Sequence, residues 1–220
     1  MSERLSLVTF LAVLLVACGS PARKARVGLD SPDISVRIAA AKAVSQAGDE
    51  KAVPKLICLL KDEDADMRRA AASALGKIGS ADAAEPLAEM YKKEEYHDVA
   101  RAAARALVKI GEPSVEPFIG LLRSVKADVR AGAAWGLGRL ESRKAVEPLI
   151  RLLDDRDEDV RIAAIYALRR IGNKRGMDAI AREVQNQDEN VESAAEKALS
   201  GRGYESQLNK ARRIIRRFPR

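Results

Sequence analysis

Histidine occurs once in these 220 residues, as His97, and cysteine twice, as Cys18 and Cys58. A lone imidazole has no second histidine with which to share a metal ion, so neither a metal centre nor a cofactor is expected. One thiol beside Cys18 gives no internal disulfide to the body of the chain, which must stand on packing. Aromatic residues make up only 4% of the chain, which argues against a core filled with rings. There is no glycine-rich phosphate loop between a strand and a helix and no G-x-S-x-G elbow. His97 precedes Asp98, which reads as a helix cap, so it reads as an exposed loop residue rather than a base. No catalytic residue is assigned, and the chain reads as a non-enzyme.

What is present is a repeat. Apolar anchors stand at Val36, Met67, Val99, Val129, Val160 and Val191, separated by 31, 32, 30, 31 and 31 residues. Alanines follow each anchor, and twelve residues on lies Gly48, Gly79, Gly111, Gly172 or Gly203, with Glu141 in the fourth copy. In the second copy Asp66 reads as an N-cap. Met67, Ala71, Ala74, Leu75 and Ile78 recur at helical spacing, and Gly79 closes the helix. Pro86 then suits the first turn of a second helix that carries Leu87, Met90 and Tyr91 inward. Asp128 reads as the corresponding cap in the fourth copy. Each unit is thus two antiparallel helices with one apolar face apiece, and such a hairpin buries that face only by stacking on its neighbours. The expected fold is all-α, a right-handed α-solenoid of five to six stacked hairpins with no β-sheet. Copies start near 33, 64, 96, 126, 157 and 188. Residues 22–29 read as a lone second helix and residues 205–218 as a basic capping helix. Alanine at so many facing positions predicts closely approaching helices.

The phrases DMRRAAASALGKIG, DVRAGAAWGLGRL and DVRIAAIYALRRIG, followed by AVEPLIRLL, resemble HEAT-like repeats of the phycobilisome-lyase type. The resemblance spans about residues 33–203 and implies a scaffold, a lyase-type or cofactor-handling subunit, or a nucleic-acid-binding protein. It also implies that second helices line the concave side. HEAT-repeat di-iron hydroxylases share the fold but need several His–Glu pairs, which this chain does not have.

Residues 1–17, mostly apolar from Leu5 to Ala17, lead into Leu15-Val16-Ala17-Cys18. A run this short reads as a secretory signal rather than a spanning helix. Its ending resembles a bacterial lipobox, which would make Cys18 the lipidated first residue, followed by a tether over 18–21. That implies a membrane-anchored protein of the bacterial cell envelope. The formal charge is +7. Its excess sits at the ends, most densely at Lys210, Arg212, Arg213, Arg216 and Arg217. Residues 29–200 carry 28 basic and 30 acidic side chains, so no nucleic-acid partner is expected. A protein partner and a monomeric state are.

Two surfaces stand out. Arg37, Arg68, Arg130 and Arg161 follow their anchors and, with Asp66, Asp128 and Asp159, read as caps and pairs between neighbouring repeats. Ala100 interrupts this series, with Arg101 one place along. The second surface lies seven residues into each first helix and four further on. There Arg105 with Lys109, Trp135 with Arg139, and Tyr166 with Arg170 share one helix face. Trp135 and Tyr166 on successive repeats, with arginine beside each, are the residue types that dominate binding energy at interfaces. They are the candidate partner-binding patch.

Overall fold

A computed structural model of the full chain describes residues 21–200 together with Tyr204, Leu208 and Asn209. Cys18 and its leader, Gly203, most of the expected capping helix, and Lys210, Arg212, Arg213, Arg216 and Arg217 lie outside the described residues. Helix α1 (Pro21–Gly28) stands first and alone. Five hairpins follow. They are α2 (Ile34–Gln46) with α3 (Val53–Leu59), α4 (Ala65–Ile78) with α5 (Ala84–Lys93), and α6 (His97–Ile110) with α7 (Val115–Leu121). Then come α8 (Ala127–Leu140) with α9 (Val146–Arg151), and α10 (Glu158–Ile171) with α11 (Lys174–Glu183). Helix α12 (Glu189–Leu199) opens a sixth copy. No strand occurs among the described residues, and none of their helices is long and apolar enough to cross a membrane. The fold is an α-solenoid.

The helices begin two residues earlier than the spacing of aspartates suggests. Asp33, Asp64, Asp157 and Asp188 are the N-caps, each accepting a backbone N–H of the first turn. Asp66, Asp98 and Asp128 lie inside the first turn instead, where their charge opposes the positive end of the helix dipole. At the other end, Gly48, Gly79, Gly111 and Gly172 all adopt positive φ. Glu141 adopts the left-handed shape of Gly79 and Gly172 in the fourth copy, with φ of 53°.

Packing follows the register. Ala71, Ala103, Ala133, Ala164 and Ala195 hold one position in successive copies and are fully buried. So are Leu56, Leu87, Phe118, Leu149 and Ile180 from the second helices. The first anchor departs from this pattern. Val36 is 45% exposed, because among the described residues only the short α1 precedes its helix. Glycine sets the tightest approaches. A Cβ on Gly76 would stand 2.5 Å from the Ala106 Cα, and one on Gly138 would stand 2.8 Å from the Ala167 Cα. Thus α4 lies directly on α6, and α8 on α10.

The junction between α6 and α8 is built differently. These two helices share far fewer close backbone approaches than the pairs on either side. Bulky rings fill the difference, against the expectation drawn from the low aromatic content. Phe118 of α7 packs on Gly136, and Tyr91 of α5 reaches past its own neighbour to Gly132. Its hydroxyl donates to the Asp128 carbonyl at 3.4 Å. Burial, then the charge of Asp128, pushes the Tyr91 phenol up to about 12. Trp135 sits between those two glycines in sequence, but they make room for Tyr91 and Phe118, not for the indole.

The arginine series is a ladder, though with acids other than those expected. Arg37 meets Asp62 at 3.4 Å, Arg68 meets Glu94 at 2.8 Å, Arg130 meets Asp155 at 2.6 Å, and Arg161 meets Asp188 at 2.8 Å. Each acid lies in the inter-repeat turn that leads into the following copy. Each arginine also donates to carbonyls of its own inter-repeat turn, as Arg68 does to Asp62 and Glu63. Arg68 and Arg130 bind their carboxylates with two nitrogens apiece. The Arg68 hydrogen bond holds Glu94 below the usual carboxylate range. Burial pushes Asp155 up, but Arg130 and the Asp157 N–H outweigh it and leave the group lowered. The rung between the third and fourth copies is missing from both sides. Ala100 stands where arginine would be, and Ser124 occupies the place held by Asp62, Glu94 and Asp155. That is the junction Tyr91 fills.

Candidate functional site

The outer face of the first helices carries the exposed aromatics. Helical periodicity puts positions four apart one above another, so every copy projects two side chains from this face. Trp135 is 45% exposed and Tyr166 50% exposed. The Arg139 guanidinium lies 6.0 Å from the centre of the Trp135 ring, within cation–π range. Arg170 turns toward the previous copy and pairs with Glu141 at 3.3 Å. The basic residues at these helix ends, Lys77, Lys109, Arg139 and Arg170, also complement the helix dipole, which accounts for their repetition.

Two hollows mark this face. One, of about 640 Å³, lies between α4 and α6, with Arg101, Arg105 and Lys109 along one wall and Ala70, Ser73 and Ala106 also lining it. The second, of about 360 Å³, lies at the α6–α8 junction and is lined by Ala100, Arg105, Gly132 and Trp135, with Tyr91 at its base. The structure therefore brings Arg105 beside Lys109 in one hollow and opposite Trp135 in the other. Tyr166 stands one copy further on, outside both. Arg101 reads in sequence as a displaced ladder residue, but it is exposed on this outer face instead. The clue was its position two past the anchor rather than one.

A third hollow, of about 630 Å³, lies on the second-helix side, floored by Ile57, Leu60, Pro86 and Met90 and walled by Tyr96. Tyr96 occupies the N-cap position of α6 without making a capping bond. It is 62% exposed, with the Arg68 guanidinium 5.8 Å from its ring centre. An aromatic in a place held by aspartate in four other copies was a readable signal. His97 is exposed at the first position of α6.

Helical hairpins in register, joined by ionic rungs and presenting a broad outer face, define an α-solenoid repeat protein. The HEAT repeats family model matches residues 23–108 and 115–200. The chain belongs to that family. No curated protein sequence matches it. Among solved structures it is similar to an engineered protein with 22% identity and a TM-score of 0.51, covering 88% of this chain and 98% of that one. It is also similar to a designed armadillo repeat protein in complex with the peptide (KR)4, with 21% identity and a TM-score of 0.50 over 82% and 98% of the two chains. Importin beta matches with 15% identity and a TM-score of 0.59, over 81% of this chain and 29% of that one. At these identities the likeness concerns the fold.

Proposed function

We propose that this chain is a non-catalytic protein-interaction scaffold, held on a bacterial membrane by lipid at Cys18. The observation that carries the reading is the pair of exposed aromatics on successive copies, Trp135 and Tyr166. Large rings half exposed on a rigid stack are available to a partner, and Trp, Tyr and Arg are the usual anchors of such contacts. Arg139 beside Trp135 supports the same patch. The Leu15-Val16-Ala17-Cys18 ending supports the anchor. The designed armadillo protein solved with its peptide is an instance of a similar stack holding a polypeptide.

The mechanism is stoichiometric. Ladder and alanine packing hold the copies in fixed register, so contact residues about one repeat apart stay aligned without reordering on binding, which lowers the entropic cost of association. The test is in-cell crosslinking from the native host, comparing the parent with Trp135→Ala/Tyr166→Ala. Capture is expected to fall at least tenfold while far-ultraviolet dichroism is unchanged; equal capture refutes the patch. The intact mass of membrane-extracted protein checks the anchor. A chain starting at Cys18 with acyl mass is expected, and a chain starting at Met1 refutes it.

A further inference from the structure

Helix α6 carries a column of charge that nothing in the fold requires. Arg101, Arg105 and Lys109 lie four residues apart and are all exposed. None forms an ion pair among the described residues. Like charges at this spacing repel and weaken a helix. The other first helices avoid it. The same three positions read Ile38, Lys42 and Gln46 in α2, Arg69, Ser73 and Lys77 in α4, and Ala131, Trp135 and Arg139 in α8. Helix dipole complementarity explains Lys109 in the last turn, but not Arg101 or Arg105 further back.

The column also borders space. All three residues wall the 640 Å³ hollow between α4 and α6, which is otherwise lined in part by the small side chains Ala70, Ser73, Ala102 and Ala106. We propose that Arg101, Arg105 and Lys109 form a docking column for an acidic segment of a partner protein, laid along this hollow. The proposal rests on the scaffold reading and names the chemistry of its client. Charge complementarity selects the occupant. Steps of four residues on a helix are about 6 Å apart, and alternate residues of an extended peptide are about 6.6 Å apart. A segment with a carboxylate at every second residue therefore meets each cation in turn. Asp66 and Asp98 line the other end of the hollow, which disfavours a uniform polyanion such as nucleic acid and gives the bound peptide a direction. Trp135 shares the adjoining hollow with Arg105, so an apolar side chain on the client finds a ring beside the cations.

The experiment uses the full chain in detergent micelles and a fluorescein-labelled octapeptide of alternating Glu and Ala, read by anisotropy at low salt. Expected is saturable binding that weakens about tenfold in Arg101→Gln/Arg105→Gln/Lys109→Gln, the joint effect of three exposed pairs. Lys42→Gln/Lys197→Gln on the same face should bind as the parent does. The matched Lys–Ala peptide should not bind. The triple variant should melt at or above the parent, since removing repulsion helps α6; this shows that lost binding is not lost folding. Unchanged peptide binding in the triple variant overturns the proposal. So does an equal loss in the control variant, or tighter binding to single-stranded DNA or phosphatidylglycerol vesicles than to the peptide. If the triple variant still crosslinks its native partner as the parent does, the column fails while the scaffold stands. If no partner crosslinks to the parent chain, the scaffold reading itself fails, whatever the peptide does.

Discussion

Substituting Gly132 by alanine sets two effects against each other. A Cβ there would lie 1.8 Å from the Tyr91 hydroxyl and 3.0 Å from the ring carbon bearing it. The first distance is impossible; the second is tight but passable with a few tenths of an ångström of movement. Overpacking of this kind costs about 1–3 kcal/mol, while alanine gains about 1 kcal/mol over glycine in a helix interior. Gly132→Ala alone should therefore destabilise by about 1 kcal/mol. Tyr91→Phe alone removes a long hydrogen bond of 3.4 Å to the Asp128 carbonyl, a loss of about 0.5 kcal/mol. Together, the hydroxyl is gone, the clash shrinks to ordinary crowding, and the helix propensity of alanine is realised. The double variant should be more stable than Gly132→Ala by about 1 kcal/mol, which against the two single losses is a coupling of about 1.5 kcal/mol, well above the 0.3–0.5 kcal/mol scatter of independent sites. Urea unfolding followed at 222 nm and by emission of Trp135, the only tryptophan, reports both global and junction stability. Additive effects would refute the view that Tyr91 reaches across to α8 through the space over Gly132.

Glu141→Gly should raise stability by about 0.5–1 kcal/mol in thermal unfolding, since it relieves a left-handed backbone; the exposed pair lost with Arg170 contributes little. Glu94→Gln should lower stability at neutral pH by about 1–3 kcal/mol, because it breaks a two-pronged charged hydrogen bond from Arg68. The Glu94 carboxyl is held low in the folded state, so its contribution is complete above the ordinary glutamate range near about 4.3 and fades as pH falls through the folded value. Melting curves of parent and Glu94→Gln should converge in acid; a constant gap at every pH would contradict this origin.

The period was plain in sequence because stacking imposes it. Each anchor must meet the preceding copy, and each left-handed turn must recur to bring the chain back, which is why glycine returns twelve residues on. Helix starts were displaced because aspartate serves two adjacent roles in these turns, as cap at Asp64 and as first-turn charge at Asp66, and composition alone does not rank them. The rungs were half legible. The arginines stand out in sequence, but their partners lie about 25 residues away in the turns before the next copy, where several acids compete. Helical spacing turns Tyr91 inward, as the structure has it, but its reach to α8 depends on Ala100 leaving space in a third helix, and no periodicity reports that. The outer face was legible because it is what the apolar stripe leaves over. The hollow beside Arg101 was not, since its depth depends on how closely α4 and α6 approach.

The missing rung gives the solenoid two kinds of joint. Every joint buries apolar side chains, and four of the five add a largely buried arginine–carboxylate rung, which dissolved salt screens only weakly. The third and fourth copies are joined by buried rings and one exposed pair, Lys144 with Glu112 at 2.7 Å. The joints therefore differ in what loosens them. Acid strong enough to protonate the rung carboxylates slackens the runged joints and spares the middle, while cold weakens the apolar contacts on which the middle relies. A rod built this way does not soften evenly; its weakest coupling moves along its length as the solution around it changes.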